Sequence, residues 1–380
     1  MYEQNNSPES EFLKKVFSDY YAAHFVDSVP QIERREFGYG ILGRKIFNRN
    51  MAFSSAKEMN AFLVNEEPLF LSYSNACYKY PARKPMPTKE LIGADIIYEF
   101  DADELGLSVE EIDGHQWFEK RHLDEAKKEV FKLLGFLEKD FAFSTEGVAI
   151  NFSGKAGYHV HLRGKEFFSL NRTARIELVD YLTGNGMDFG ALGYDLSSKQ
   201  LSCPTGKGLW GKRLNSALKR ILDKPPEELV AITGFQKKKV SSLLSAKADL
   251  VKSIDKGMLF PVDGRKSSEF WTKMLEACVA EEKSKLDRQT SVDMHKIIRV
   301  PETLHGETGM LAKVIPLKDF TAFNPFDDAV VLPGQEVKVF IQKAPRFYLK
   351  GKHYGPFLNE EVSVPLFCAV YLIGKGAELR

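Results

Sequence analysis

The run Gly93-Ala94-Asp95-Ile96-Ile97-Tyr98-Glu99-Phe100-Asp101-Ala102-Asp103 constrains the fold of this chain more than any other. Its β-branched and aromatic centre predicts a strand. Alternate side chains of a strand share a face, so a strand that persists through its acidic end turns Asp101 and Asp103 toward one spot. Two carboxylates that close repel each other and resist ionisation. A divalent cation removes the conflict, and an oxygen-only ligand set favours Mg²⁺ or Mn²⁺ over zinc. Two such ions can clamp the attacking and leaving oxygens of phosphoryl transfer. An acidic strand end running into a solvated loop, here DADELGLSVEEIDG, gives the same pattern, so the pair alone does not decide.

Two further stretches carry chemistry. FSTEGVAINFSGKAGYHVHLRG reads as strand, glycine-flanked turn, strand. Gly154 and Gly157 permit a tight turn and close approach of backbone to a ligand. Ser153, Lys155 and the turn amides suit a polyphosphate. His159 and His161 share a strand face; without a third metal ligand nearby they read as a phosphate-binding pair, or as one functional and one core-facing histidine. An ordinary hairpin is the alternative. Later, VDMHKIIRVPETLHGETG sets Asp293, His295, Lys296, Arg299 and His305 around Ile297-Ile298. A strand ending at Arg299-Val300 places Asp293, His295 and Ile297 on one face. An added carboxylate with cations beside a glycine turn suits a metal–triphosphate site, although basic strand residues are commonly just exposed.

The rest of the chain supplies a scaffold. With 380 residues and 43% hydrophobic content it can bury a sizeable core, in one large or two to three coupled domains. Ser7-Pro8 predicts a helix start, followed by apolar residues at helical spacing from Phe12 to Tyr21. Arg35 to Ser74 predicts strands and a helix, and the proline-rich YKYPARKPMPTKE predicts extended turns. Leu123, Ala126, Val130, Leu133, Leu134 and Leu137 form one face of a helix over Arg121–Leu137. A second helix is expected over Arg172–Leu182. From about Thr205 to Lys256 the chain is lysine-rich and helical, and strand signals then return through EVKVFI and VPLFCAVYLI. Asp140 shows no functional pattern and is expected to tolerate replacement. The four cysteines form no CxxC pair, which argues against a disulfide framework and a cysteine zinc site. No apolar run approaches a membrane span, and the polar, acidic N-terminus lacks signal-peptide order, so a cytoplasmic or nuclear location is expected. The net charge of +1 is low for an enzyme that grips nucleic acid. A small template footprint or a partner supplying most of the grip reconciles the two.

In order and wording the three motifs resemble the catalytic small subunit of archaeo-eukaryotic DNA primases of the archaeal type. The likeness rests on the DxD of Asp101 and Asp103, the SGxxGxH of Ser153, Gly154, Gly157 and His159, and the stretch from Asp293 through Arg299 to His305. Arg35-Glu36-Phe37, the segment around Tyr73, Ser74, Tyr78 and Pro81, and FNPFDDAV add to it; together they span roughly residues 10 to 345. The resemblance implies an α/β fold, an RRM-like sheet with flanking helices plus a small helical subdomain. Residues 1–204 and 257–345 would form the catalytic domain, 205–256 a helical insertion, and 346–380 a C-terminal β extension packing on the core. It implies primer synthesis on single-stranded DNA from nucleoside triphosphates by a two-metal mechanism, in a heterodimer with a primase large subunit and away from membranes. Asp101, Asp103 and Asp293 would hold Mg²⁺ or Mn²⁺. Ser153, Lys155, His159, Arg299, His305 and Arg35 would bind the nucleotide. Glu104–Phe152 lacks cysteine and has only His115 and His122, so no structural zinc is expected there. Glu307, an acid in the phosphate-side turn, is expected to point away. A cytoplasmic, archaeal-type replication machinery fits this picture. A related metal-dependent nucleotidyltransferase of repair or end joining, or a non-catalytic scaffold subunit, remains an alternative.

Overall fold

Each of the three motifs includes strand residues, and eight strands form two four-stranded sheets. The computed structural model describes residues 7–197, 200–205, 209–262 and 266–380. The acidic N-terminal residues 1–6, and 206–208 of the expected insertion, lie outside these. The first sheet comprises β1 (Phe37–Ile41), β2 (Arg44–Met51), β3 (Phe70–Ser74) and β7 (Ile297–Arg299), in the order β7-β3-β1-β2. The second comprises β4 (Ile96–Asp101), β5 (Val148–Phe152), β6 (Gly157–Leu162) and β8 (Val314–Ile315), in the order β8-β5-β6-β4. The chain divides into two compact units, one of residues 1–131, 144–177 and 285–380, the other of 132–143 and 178–284. Both sheets belong to the first.

Register explains the burial. β6 pairs antiparallel with β4, so that Tyr158 faces Phe100, Val160 faces Tyr98, His159 faces Glu99 and Gly157 faces Asp101. Tyr98, Phe100, Tyr158 and Val160 therefore share one apolar face, and all four are buried. Phe320 packs its ring 5.1 Å from Tyr158 and 5.2 Å from Phe131 of helix α2 (Lys120–Phe141), tying helix to sheet. The opposite face carries Ile97, Glu99 and Asp101 with the two histidines. The expected first helix is present as α1 (Pro8–Ala23): Ser7 Oγ accepts from Ser10 N at 3.2 Å and Pro8 opens the first turn.

Two local expectations are corrected. The strand of the DxD motif stops at Asp101, and Asp103 lies in a 3₁₀ turn over Ala102–Leu105. VPLFCAVYLI is only partly strand: Phe357–Pro365 is extended, but Leu366–Ile373 forms a helix whose every residue is buried. Complete burial erases the difference between a period of 2 and one of 3.6, leaving Pro365 as the local helix-start signal.

The second unit is helical. Trp210 donates its indole N–H to Tyr181 O at 3.0 Å, and the fully buried Trp271 donates to Phe260 O at 2.8 Å. Its segments extend beyond 205–256 to 132–143, 178–204 and 257–284. Among the described residues no helix is long and apolar enough to cross a membrane.

Asp140 is not the dispensable surface acid that the sequence suggests. Its side chain is 3% exposed and takes Arg213 through two hydrogen bonds of 3.0 and 2.8 Å, while Tyr181 Oη donates to it at 3.0 Å. Removing one partner strands the other's charge, which costs about 3–5 kcal/mol in a buried pair. Asp140→Ala should therefore lower stability by about 3 kcal/mol in denaturant titration; a loss below about 1 kcal/mol would show that the pair is dispensable.

Candidate active site

A cavity of about 260 Å³ opens between the two sheets of the first unit, and most of the chemistry-bearing residues meet there. β4 supplies Glu99 and Asp101, the following turn Asp103, and the β5–β6 turn Ser153 and Lys155. His159 comes from β6, Arg299 from β7 and His305 from the turn after it. The first sheet adds Lys45 and Ser72, which the motifs did not disclose.

Glycine makes the acidic wall possible. Because Gly157 pairs directly with Asp101, a Cβ on it would lie 2.1 Å from Phe100 O and 2.3 Å from Asp101 Oδ1. Any side chain there would displace the carboxylate. In the same turn Ser153 Oγ accepts from the N–H groups of Lys155, Ala156 and Gly157 at 3.4, 3.2 and 3.1 Å. Gly154 sits at φ +88°, and a Cβ on it would meet His305 Cβ at 2.8 Å. Thr308 Oγ1 donates to Gly154 O at 2.6 Å, fixing the two turns against each other.

The acids crowd one another. Burial first, then the charges of Glu99, Asp103 and Glu104, push Asp101 up to about 7, with Lys45 opposing. Lys296 pairs with Glu99. Glu104 is also raised, by burial and then by Asp287. Asp287 caps the helix Arg288–Val292, which packs alongside β4, and accepts from Gln289 N at 2.8 Å. Among the described residues no three His, Cys, Asp or Glu form a ready-made metal-binding group. A Mg²⁺ or Mn²⁺ needs only one or two carboxylates when phosphate oxygens and water complete its shell. The crowding that raises Asp101 is what such an ion relieves, so the donor set fits it.

The other wall is built to donate hydrogen bonds. Arg299 stacks its guanidinium 5.0 Å from the Phe70 ring, and its Nη1 is buried without a hydrogen-bond partner among the described residues. Burial lowers it to about 10, against the pull of Tyr21 and Glu307, so it stays cationic at neutral pH. His159 is pushed down to about 4 by burial, which the Glu99 carboxylate 3.7 Å away only partly offsets. Its Nδ1 lies 3.4 Å from Asn151 Nδ2, and His305 Nδ1 accepts from Glu307 N at 3.1 Å. His305 too is held well below the usual histidine range by burial. Both rings are thus neutral, and these contacts leave the proton on Nε2 of each. His161 is the core-facing member of its pair, with Nε2 2.8 Å from Asn151 Oδ1.

Three sequence expectations are not met in place. Arg35 is 1% exposed and lies outside the cavity; it bonds Asp95 at 2.8 Å and the carbonyls of Pro30, Ser74 and Asn75. Asp293 does not line the cavity either. It closes a turn by accepting from His295 N at 2.8 Å, its carbonyl takes Asn75 Nδ2, and its charge acts on Arg49 and Tyr78. The reason is that the strand begins only at Ile297, so 293–296 do not alternate as strand residues would. Glu307 does not point away but holds Lys155 Nζ at 2.5 Å. Of the residues that the motifs missed, Glu99 was recoverable, because it lies two positions before Asp101 on the same strand face. Lys45 carries no local signal. Asp287 shows only as an acid before a short helix.

A family model described as DNA primase small subunit matches residues 100–316. The DNA primase small subunit PriS of Methanothrix thermoacetophila is 31% identical over 398 residues, covering 97% of this chain and 98% of its own length. The proteins of that name from Methanococcoides burtonii and Archaeoglobus fulgidus are 28% and 29% identical, each covering 96% of this chain and 97% of its own length.

The raised Asp101 makes a pH prediction. Its folded pKa lies above that of the unfolded chain, so its contribution to stability is complete below about pH 4 and is lost as pH rises through about 7. In chelator, Asp101→Asn should be more stable than the parent at pH 8, by on the order of 2 kcal/mol after solvent screening, and no more stable at pH 4. Denaturant titrations at the two pH values check this; equal differences at both would contradict it.

Proposed function

Since the chain belongs to the DNA primase small subunit family, the nucleotidyltransferase enzymes that make primers for DNA replication, we propose that the cavity between its two sheets joins nucleoside triphosphates into a primer on a single-stranded DNA template. The observation that carries this reading is the partnerless buried Nη1 of Arg299 in the same cavity as the crowded carboxylates Asp101 and Asp103. A buried cationic donor without a partner calls for an anionic ligand. A crowded carboxylate group calls for a cation. A triphosphate carrying divalent ions supplies both.

Asp101 and Asp103 would hold Mg²⁺ or Mn²⁺. Asp287, whose charge reaches Glu104 beside them, fits the role of third carboxylate better than Asp293, which serves a turn near Arg49. Bound there, two divalent ions would acidify the attacking 3′-hydroxyl and neutralise charge on the leaving group. The hydroxyl oxygen bonds to the α-phosphorus and gives its proton to water, while the α–β bridging oxygen leaves with the bond pair as pyrophosphate. Ser153, Lys155 and Arg299 would grip the phosphates, and His159 and His305 would donate as neutral imidazoles. Arg35 would act at a distance, by fixing β1 and β3 through Asp95 and the Ser74 and Asn75 carbonyls.

The first unit reads as the catalytic domain and the helical unit as its variable companion. No structural zinc enters this reading: both nitrogens of His122 are occupied, by Glu119 N at 2.9 Å and Ser108 O at 3.1 Å. A large-subunit partner in a heterodimer accords with the net charge of +1, since a chain so nearly neutral grips template weakly.

Primer synthesis on single-stranded DNA with Mn²⁺ tests the assignment. Asp101→Ala, Asp103→Ala and Asp287→Ala should each lose roughly 10³-fold or more, because a cluster of this kind acts as a unit. Asp293→Ala should stay within about threefold of the parent. Near-native activity of Asp101→Ala would overturn the function, and the reverse ranking of Asp287 and Asp293 would overturn the choice of third carboxylate.

A further inference from the structure

A second cavity, of about 610 Å³, adjoins the first, and Lys155 lines both. Its walls come from the β1–β2 turn at Gly43, the hairpin holding Glu111 and His115, and the chain after the helix Leu366–Ile373. Lys375 stands in the last of these. Its Nζ donates to Gln116 O at 2.6 Å and lies 4.9 Å from the Trp117 ring and 5.1 Å from the Tyr371 ring. An ammonium has three donors, and this contact uses one of them. Glu307, also in the wall, holds Lys155 from this side. The charges of Lys155 and Lys375 both reach His115, His305 and Glu307, so the two lysines act on one field across the boundary between the cavities.

This arrangement gives the boundary a direction. In the first cavity the carboxylates would mark where the α-phosphate reacts, and Lys155 is the cation that this cavity shares with the second. An anion leaving the first cavity for the second would pass Lys155, which lines both, and reach Lys375, which lines only the second of the two. We propose that the second cavity is a pyrophosphate-binding exit site, entered as Lys155 exchanges Glu307 for phosphate oxygens and completed by Lys375 and His115. It rests on the triphosphate reading of the first cavity. Burial, reinforced by the charge of Lys155, holds Lys375 down to about 8, so a polyphosphate would restore the charge that the empty wall disfavours. The shared chemistry is a polyphosphate, and its other possible source is the 5′-triphosphate of the nucleotide that starts a primer.

Extension of a pre-annealed primer, inhibited by inorganic pyrophosphate, separates these sources, because no starting triphosphate is then needed. The quantity to follow is the inhibition constant for pyrophosphate divided by the nucleotide KM. Lys375→Met keeps the aliphatic packing on Trp117 and Tyr371, and should raise this ratio roughly tenfold by removing a charge-assisted hydrogen bond. Glu111→Lys, on the exposed rim, should lower it several-fold, which guards against a Lys375 variant that fails to fold. Unchanged ratios in both variants would overturn the proposal. So would a defect of Lys375→Met confined to unprimed initiation, which would assign the cavity to the starting nucleotide. Loss of activity in Asp101→Ala is a separate readout: if it occurs while both ratios stay fixed, the exit site fails and the catalytic reading stands.

Discussion

The repulsion among carboxylates at the end of β4 is the constraint on which the rest of the site depends. Asp101 sits half-buried with Glu99 on its own strand face, Asp103 and Glu104 just beyond, and burial and these charges together lift it to about 7. A fold does not hold such a group in place for stability, because ionisation works against it. Gly157 shows that the placement is structural: the facing strand carries no side chain at the one register position where a Cβ would strike Asp101. Such crowding is what a bound cation would relieve.

The opposing wall answers this charge in kind. Arg299 brings the fixed positive charge, while His159 is neutral because burial outweighs the Glu99 carboxylate, and His305 because burial and the cations around it act together. Neutral imidazoles whose Nδ1 already accepts a backbone or side-chain N–H can only present Nε2–H, which fixes their direction as donors. On the proposed reading, a triphosphate bridging the two walls would meet carboxylate-held cations on one side and oriented donors on the other. Lys155 differs from these residues in being already paired, with Glu307, and so its engagement with phosphate requires an exchange of partners.

The sequence was most informative where chemistry and strand alternation coincide. Asp101, Ser153, Lys155, His159, Arg299 and His305 could all be picked out, since each lies in or beside a strand whose pattern is local. Asp293 misled because alternation was extended back through 293–296, where the chain is a turn. Asp287, the proposed third carboxylate, stayed hidden because its charge reaches Glu104 through the packing of a short helix against β4, a tertiary event without a local pattern. The resemblance implies a nucleotide-binding Arg35, yet a buried arginine is as readily consumed by carbonyls and one aspartate. The helix at Leu366–Ile373 was read as strand because uniform burial leaves no periodicity to read.

The cavity thus has two chemically opposite walls, one of crowded carboxylates and one of hydrogen-bond donors. A crystal of this chain soaked with Mn²⁺ and a nonhydrolysable nucleoside triphosphate measures this most directly. Anomalous density for manganese should appear against Asp101 and Asp103, with phosphate oxygens within hydrogen-bond distance of Arg299 and the Ser153–Lys155 turn. Manganese bound elsewhere, or a nucleotide whose phosphates leave Arg299 Nη1 without a partner, would contradict it.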